Sequence, residues 1–214
     1  MKQIFSKSSI FLIASFAIAL VGVFLSTIFI IYYWGSPWHT DVGYNPVQPI
    51  AFSHKLHAGE LSIDCQYCHN FADRSTYAGV PPTSRCMNCH NTIRTESSKL
   101  KLLRDNFTSG LPIKWVRVHK IPDYTYFTHE AHLKAGVSCK TCHGFVTAME
   151  QVAQTKPHSM GFCLDCHRNP EAYLVPPDKV TKFNYINDKS WVNIRKTNVK
   201  MLHPPVTNCS GCHQ

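Results

Sequence analysis

A mostly irregular ectodomain of short α-helices, carried behind one N-terminal transmembrane helix, is what these 214 residues lead one to expect. Three observations lead there. Ile10 to Trp34 holds 25 residues without a charge. All 10 cysteines fall into five Cys-x-x-Cys pairs, each followed directly by histidine. Between those pairs the apolar periodicity is short and broken by many of the 13 prolines and 10 glycines. Charged residues make up only 16% of the chain, against about 25% in ordinary domains, which excludes charge-rich disorder and coiled coil.

The uncharged run exceeds the roughly 20 residues that a helix needs to cross a bilayer core. Lys2 and Lys7 precede it and Asp41 is the first charge after it, so the positive-inside bias leaves the N-terminus in the cytoplasm and exports the rest. Tyr32, Tyr33 and Trp34 supply an interfacial belt. Ala17-Ile18-Ala19 has the form of a signal cleavage site, but the apolar run continues to Tyr33, so an uncleaved anchor over residues 1–34 is expected, with residues 35–214 as the exported domain. Gly35 to Pro49 then reads as an extended approach segment.

Repeats begin next. Phe52-Ser-His54-Lys-Leu-His57 precedes Cys65-Gln-Tyr-Cys68-His69, and Phe127-Thr-His129-Glu-Ala-His132 precedes Cys139-Lys-Thr-Cys142-His143. Cys86-Met-Asn-Cys89-His90 follows the first of these motifs and Cys163-Leu-Asp-Cys166-His167 the third, which defines two modules, about 54–90 and 129–167. Between the modules a helix is expected from Thr95 to Asn106, stopped by Gly110 and Pro112. Residues 168–208 read as an irregular tail that ends in Cys209-Ser-Gly-Cys212-His213.

Two thiols three positions apart can each add across one haem vinyl group, and the adjacent histidine then falls beneath the iron. Structural zinc would use the pairs in twos, and five is odd; a thioredoxin-like site needs one pair on a βαβ pattern. A disulfide framework does not require a histidine after every pair. Histidine is about one residue in sixteen here, so five such coincidences have odds on the order of one in a million. Five covalent haem c groups are therefore expected, with His69, His90, His143, His167 and His213 as proximal ligands. With so little chain for so many motifs, the haems themselves should form the core. Their roughly ten propionates give the +9 formal charge an internal use, and no basic helix argues for nucleic acid.

Eight histidines remain: His39, His54, His57, His119, His129, His132, His158 and His203. Residues i and i+3 on a helical turn share one face, so the two histidines of Phe-x-His-x-x-His cannot sandwich one iron and must serve two different haems. That ties two cofactors to one turn, for His54 and His57 and again for His129 and His132. His158 and His203 stand too close before their own motifs to reach the opposite face of those haems, and His39 lies beside the headgroups. Met149 and Met160 are competing sulfur donors, and His–Met ligation would raise a potential.

The two Phe-x-His-x-x-His turns resemble those of small multihaem cytochromes of the c3/c7 type. Longer runs narrow the likeness: Gln48-Pro49 before Phe52-Ser53-His54, Gly79-Val-Pro81-Pro82-Thr83 before Cys86, Trp115-Val-Arg117-Val-His119 with Pro122-Asp123, and Met160-Gly-Phe-Cys163 through Asn169-Pro170. Over about 48–171 the chain is similar to the pentahaem cytochrome subunit of bacterial alternative complex III. The resemblance implies a single-pass protein of the bacterial cytoplasmic membrane with a periplasmic haem domain. Its implied partners are an iron–sulfur subunit, polytopic quinol-binding subunits and a monohaem cytochrome, with a soluble periplasmic electron acceptor beyond them. His119, in the Trp-Val-Arg-Val-His run, is taken as the fifth distal donor.

The function expected is thus electron relay within a quinol-oxidising complex, with no catalytic residue on this chain and the quinol site on partner subunits. Eight spare histidines exceed five distal positions, which weighs against a haem reductase with an open iron. A self-standing anchored quinol dehydrogenase should carry its first haem soon after the anchor, whereas 30 residues separate Trp34 from Cys65.

Overall fold

The computed structural model describes residues 6–186 and 205–213, and it divides after Asp41 into two compact units. Lys2 and His203 lie outside the described residues.

The first unit is helix α1, Lys7–Gly35, and the short α2, Pro37–Thr40. Ser6 opens α1 by accepting a hydrogen bond from the Ser9 amide at 3.1 Å, which starts the helix a turn before the uncharged run. Ser36 closes it in an extended conformation and Pro37 begins α2. At 1.5 Å per residue its 29 residues span about 43 Å, more than a hydrocarbon core of about 30 Å. Its side chains from Ile10 to Trp34 are exposed, uncharged and mostly apolar, and the helix is long and apolar enough to cross a membrane. His39 lies against Tyr33, ring centroids 4.1 Å apart.

The second unit begins at Val42. The stretch expected to be extended from Gly35 to Pro49 instead carries α2 and a turn at 41–43, and the rest of it is tied down: Gly43 donates to Gln154 at 2.7 Å, Gln154 returns a bond to Tyr44 at 3.0 Å, and the Gln48 side chain pairs reciprocally with the Val116 backbone at 2.9 Å. A π-helical turn, Lys55–Glu60, leads to α3, Cys65–Cys68, and α4, Thr83–His90. The connecting helix begins as a 3₁₀ turn at Ser98–Leu100 and becomes α5, Lys101–Ser109. It starts and stops later than the sequence suggested. Gly110, at φ +69°, closes it in the left-handed conformation that glycine adopts without strain. Then follow α6, His129–Ala135, α7, Cys139–His143, α8, Met160–Arg168, and α9, Cys209–Cys212. Among the described residues the only β-pairing is two isolated bridges, Thr125 with His213 and Val137 with Leu174.

The apolar core is small. Ala72, Leu133, Val175 and Val180 form its cluster, with Ala78 and Tyr185 packed against it. The reading of residues 168–208 as an irregular tail missed that this stretch supplies Leu174, Val175, Val180 and Phe183 to the interior. Pro170, Pro176 and Pro177 hold it in 3₁₀ turns, so its apolar side chains turn inward with neither helical nor strand period. The Val180 carbonyl accepts from the Ser138 hydroxyl at 2.9 Å, and Lys140 donates to Phe183 and Tyr185 at 2.9 and 3.0 Å, fastening the segment to α7.

Candidate haem-ligand sites

Each motif lies on a short helix, which places its two cysteines about one turn apart on one face. Asp64 caps α3 by accepting from the Gln66 amide at 3.0 Å, and Ser159 caps α8 by accepting from Phe162 at 3.3 Å. Behind His143 the chain must turn sharply. Gly144 does so at φ +69°, and a Cβ there would overlap the Thr155 hydroxyl. All ten cysteines are free of disulfides, and among the described residues no group of three or more His, Cys, Asp or Glu side chains converges as a zinc site would.

Six of the histidines rest one ring nitrogen on a backbone carbonyl. A carbonyl oxygen only accepts, so a ring nitrogen beside one must carry the hydrogen. The Nδ1 of His57 donates to Ser53 at 2.9 Å, His69 to Gly79 at 2.7 Å, His90 to Ile93 at 3.1 Å, His129 to Thr76 at 2.8 Å, His132 to Thr128 at 2.7 Å and His167 to Val206 at 2.6 Å. In all six the tautomer is fixed with Nε2 as a lone-pair donor, the arrangement that metal-ligating imidazoles adopt.

His158 and His143 have ring centroids 6.2 Å apart, but the His158 Nε2 is committed to the Cys142 carbonyl. Three further histidine pairs share that spacing, with centroids 6.3 Å apart for His57 and His90, 6.3 Å for His129 and His143, and 6.1 Å for His132 and His167. Two metal–nitrogen bonds of about 2 Å on opposite sides of one iron, each with its ring centre behind the nitrogen, require about 6.3 Å. The residues present therefore fit a six-coordinate haem iron. Each pair also takes one histidine from a Phe-x-His-x-x-His turn and one from a Cys-x-x-Cys-His motif.

The phenylalanine of that turn has a role that spacing alone did not reveal. Phe52 meets His54 edge-on at 4.9 Å and stacks on His57 at 4.4 Å; Phe127 meets His129 edge-on at 4.8 Å and lies tilted against His132 at 4.7 Å. One ring thus braces two ligands. Its recurrence two places before the first histidine was the available signal. The repeats differ in backbone: the second turn is α-helical, whereas the first is π-helical, with Leu61 donating to Leu56 at 2.9 Å. Gly59 there presses on the Thr147 carbonyl, where a Cβ would collide. The even helical turn expected for His54 and His57 is accordingly widened.

His54 lies near His69. Burial first, then the charges of His69 and His57, lower its pKa to about 4, and its buried Nδ1 has no hydrogen-bond partner. His119 stands against His143, centroids 4.4 Å apart, and 5.5 Å from His158, with a buried Nε2 that also lacks a partner. Burial, then His158 and His54, lowers its pKa to about 4. Burial also lowers His132, and it holds His143 well below its ordinary value. All four are thus kept neutral, the form in which imidazole ligates iron. His158 differs: its Nε2 donates to the Cys142 carbonyl at 3.1 Å from a left-handed backbone, φ +45°. His213 faces Tyr124 at 5.6 Å, and no ring contact joins it to His119 among the described residues. Met160 is exposed at the start of α8, and the Met149 carbonyl accepts from Lys55 at 3.0 Å.

Residues 38–109 match the class III cytochrome c family, and residues 131–214 match the cytochrome c3 family. The chain carries cytochrome c3-like domains. This multihaem cytochrome is also 28% identical over 173 residues, 78% of its length and 77% of the relative's, to the menaquinone reductase, multiheme cytochrome c subunit, of Nitratidesulfovibrio vulgaris. The first match encloses the first two motifs and the second the other three. Covalently bound c-type haem and electron transfer come with both.

Proposed function

We propose that this cytochrome is the membrane-anchored pentahaem subunit of a quinol-oxidising complex of the alternative complex III kind, relaying electrons towards a soluble periplasmic acceptor. The observation that carries the reading is the set of three imidazole pairs 6.1–6.3 Å apart, in which every ring but that of His143 is held by an Nδ1 hydrogen bond to a carbonyl. In their bound form the haems supply one-electron redox chemistry. Each Cys-x-x-Cys pair, from Cys65 and Cys68 through Cys86, Cys89, Cys139, Cys142, Cys163 and Cys166 to Cys209 and Cys212, attaches one haem.

His69, His90, His143, His167 and His213 are the proximal donors. His57 pairs with His90, His129 with His143 and His132 with His167; by the repeat, and by its nearness to His69, His54 pairs with His69. His119, whose buried Nε2 is unpartnered, is the remaining distal donor. These side chains orient and exclude water, and none is placed to act on a substrate. Helix α1 holds the domain at the membrane with its N-terminus cytoplasmic, and the quinol site falls to partner subunits because one lone span encloses no pocket between helices.

The likeness to a menaquinone reductase subunit favours a second reading, in which electrons run the other way, to menaquinone. Purification in mild detergent tests both. Copurifying polytopic and iron–sulfur subunits, an intact mass five haems above 24.3 kDa, and reduction of the haems by added quinol support the first. Quinone reduction by the purified complex, with haems that quinol leaves oxidised, selects the second. A lone subunit that turns over quinol rejects both in favour of a self-standing dehydrogenase.

A further inference from the structure

Residues 111–122 carry neither helix nor strand, yet they hold His119. Its ring lies 4.4 Å from that of His143 and 5.5 Å from that of His158, and its buried Nε2 has no hydrogen-bond partner. Resting on the reading of His119 as an axial donor, we propose that Gln48 is the residue that positions it, acting through the Val116 backbone.

The Gln48 side-chain amide is used on both sides. Its Nε2 donates to the Val116 carbonyl and its Oε1 accepts from the Val116 amide, each at 2.9 Å, across 68 positions of sequence. A paired residue on a neighbouring antiparallel strand would exchange the same two bonds, so one side chain stands in for a rung of a ladder. That chemistry singles out glutamine. A carboxylate lacks the donor, lysine and arginine lack the acceptor, and asparagine, one methylene shorter, cannot keep both bonds unless the chain moves.

A second contact sets the direction of the pairing. The Lys120 ammonium stands 5.8 Å from the centre of the Tyr44 ring. Tyr44 meets Lys120 and Gln48 meets Val116, so residues 44–48 and 116–120 run antiparallel, with His119 inside the paired stretch. Residues 43–46 are themselves fixed. Gly43 and Tyr44 exchange backbone bonds with Gln154, and the Gln151 side chain donates to the Pro46 carbonyl at 2.6 Å. The clasp on Val116 thus has a firm base. Three residues further on, the His119 carbonyl accepts from the Arg117 Nε at 3.0 Å, which carries the restraint to the ligand's own backbone. Residues that follow the anchor in sequence therefore build a ligand site rather than merely tether the domain.

Electron paramagnetic resonance of the haem-loaded, full-length protein in detergent tests the proposal. Gln48→Leu removes both bonds to Val116, and Gln48→Glu removes the donor alone. His119→Ala first identifies the centre that His119 serves, as the one that turns high-spin. In both Gln48 variants that same centre, and no other, is expected to shift its g-values or turn partly high-spin, while intact mass still shows five haems. Gln48→Leu combined with His119→Ala is expected to match His119→Ala alone. Five unchanged low-spin centres in Gln48→Leu, changes spread over several centres, or a lost haem overturn the proposal and leave His119 a ligand. Five low-spin haems in His119→Ala overturn the axial reading of His119 and the proposal with it.

Discussion

Phe52 stacks on His57 with ring centroids 4.4 Å apart and planes 25° from parallel. The same phenylalanine meets His54 edge-on, so one aromatic side chain fixes the orientation of two imidazoles, which the proposed ligation assigns to different haems. Carbonyl contacts set which nitrogen is presented; the phenylalanine sets the plane in which it is presented. Both halves use the device, although their backbones at that turn differ.

Phe127→Leu should therefore loosen His132 without preventing haem attachment. An aromatic pair contributes about 0.5–1.5 kcal/mol beyond its buried area, so a loss of about 1 kcal/mol is expected. Intact mass should still show five haems, while the electron paramagnetic resonance of the ferric protein should show shifted g-values for one low-spin centre. An unchanged spectrum would mean that the ring only packs.

His57→Ala and His132→Ala each remove one member of a facing pair. One high-spin ferric haem should appear in either variant, and two in the double variant, because the two pairs share no residue. Two high-spin centres from a single replacement would break the pairing.

Asp64 joins the first motif to the segment at 181–182. Burial alone would raise its pKa, but the Gln66 amide, the Thr181 hydroxyl at 2.9 Å and the Lys182 ammonium at 3.4 Å outweigh it and hold the carboxyl below its ordinary value of 3.8. A depressed carboxyl stabilises the fold above that ordinary value and loses its contribution as pH falls through the folded pKa. Asp64→Asn keeps the helix cap, so the loss at neutral pH should be on the order of 1 kcal/mol or less, given the exposure of the ion pair. Denaturant titrations should show a shallower fall in stability below pH 4 in the variant than in the parent; equal slopes would remove Asp64 from the account.

Gly144→Ala puts a Cβ into the Thr155 hydroxyl on left-handed backbone, which costs about 1–3 kcal/mol. The turn that sets His143 should suffer first. Pyridine haemochrome assay is expected to show one haem fewer per chain, and Gly144→Ala with Thr155→Ser, which removes a methyl group but leaves the strained φ, should restore little of it.

Much of this was legible in the sequence because it is covalent or periodic. Five Cys-x-x-Cys-His motifs announce c-type haem, a 25-residue uncharged run announces α1, and two Phe-x-His-x-x-His turns announce a recurring pair of histidines braced alike. What stayed hidden depends on backbone carbonyls, which carry no residue signature. Nothing in the identities of Ser53, Thr76 or Val206 says that their carbonyls hold His57, His129 and His167. The inward turn of Leu174, Val175 and Val180 was equally opaque, since proline-held 3₁₀ turns bury apolar residues without a period to count.

The Thr76 carbonyl, which holds both the amide and the ring of His129, has a bearing on biogenesis. Residues 75–79 leave the ribosome fifty or more positions ahead of His129. The earlier half thus builds the template on which a ligand of the later half is seated. Maturation accordingly has a direction: a chain whose first motif has not been loaded and folded offers the second half an unformed cradle, and a defect placed near Cys65 should deplete cofactor at Cys139 as well.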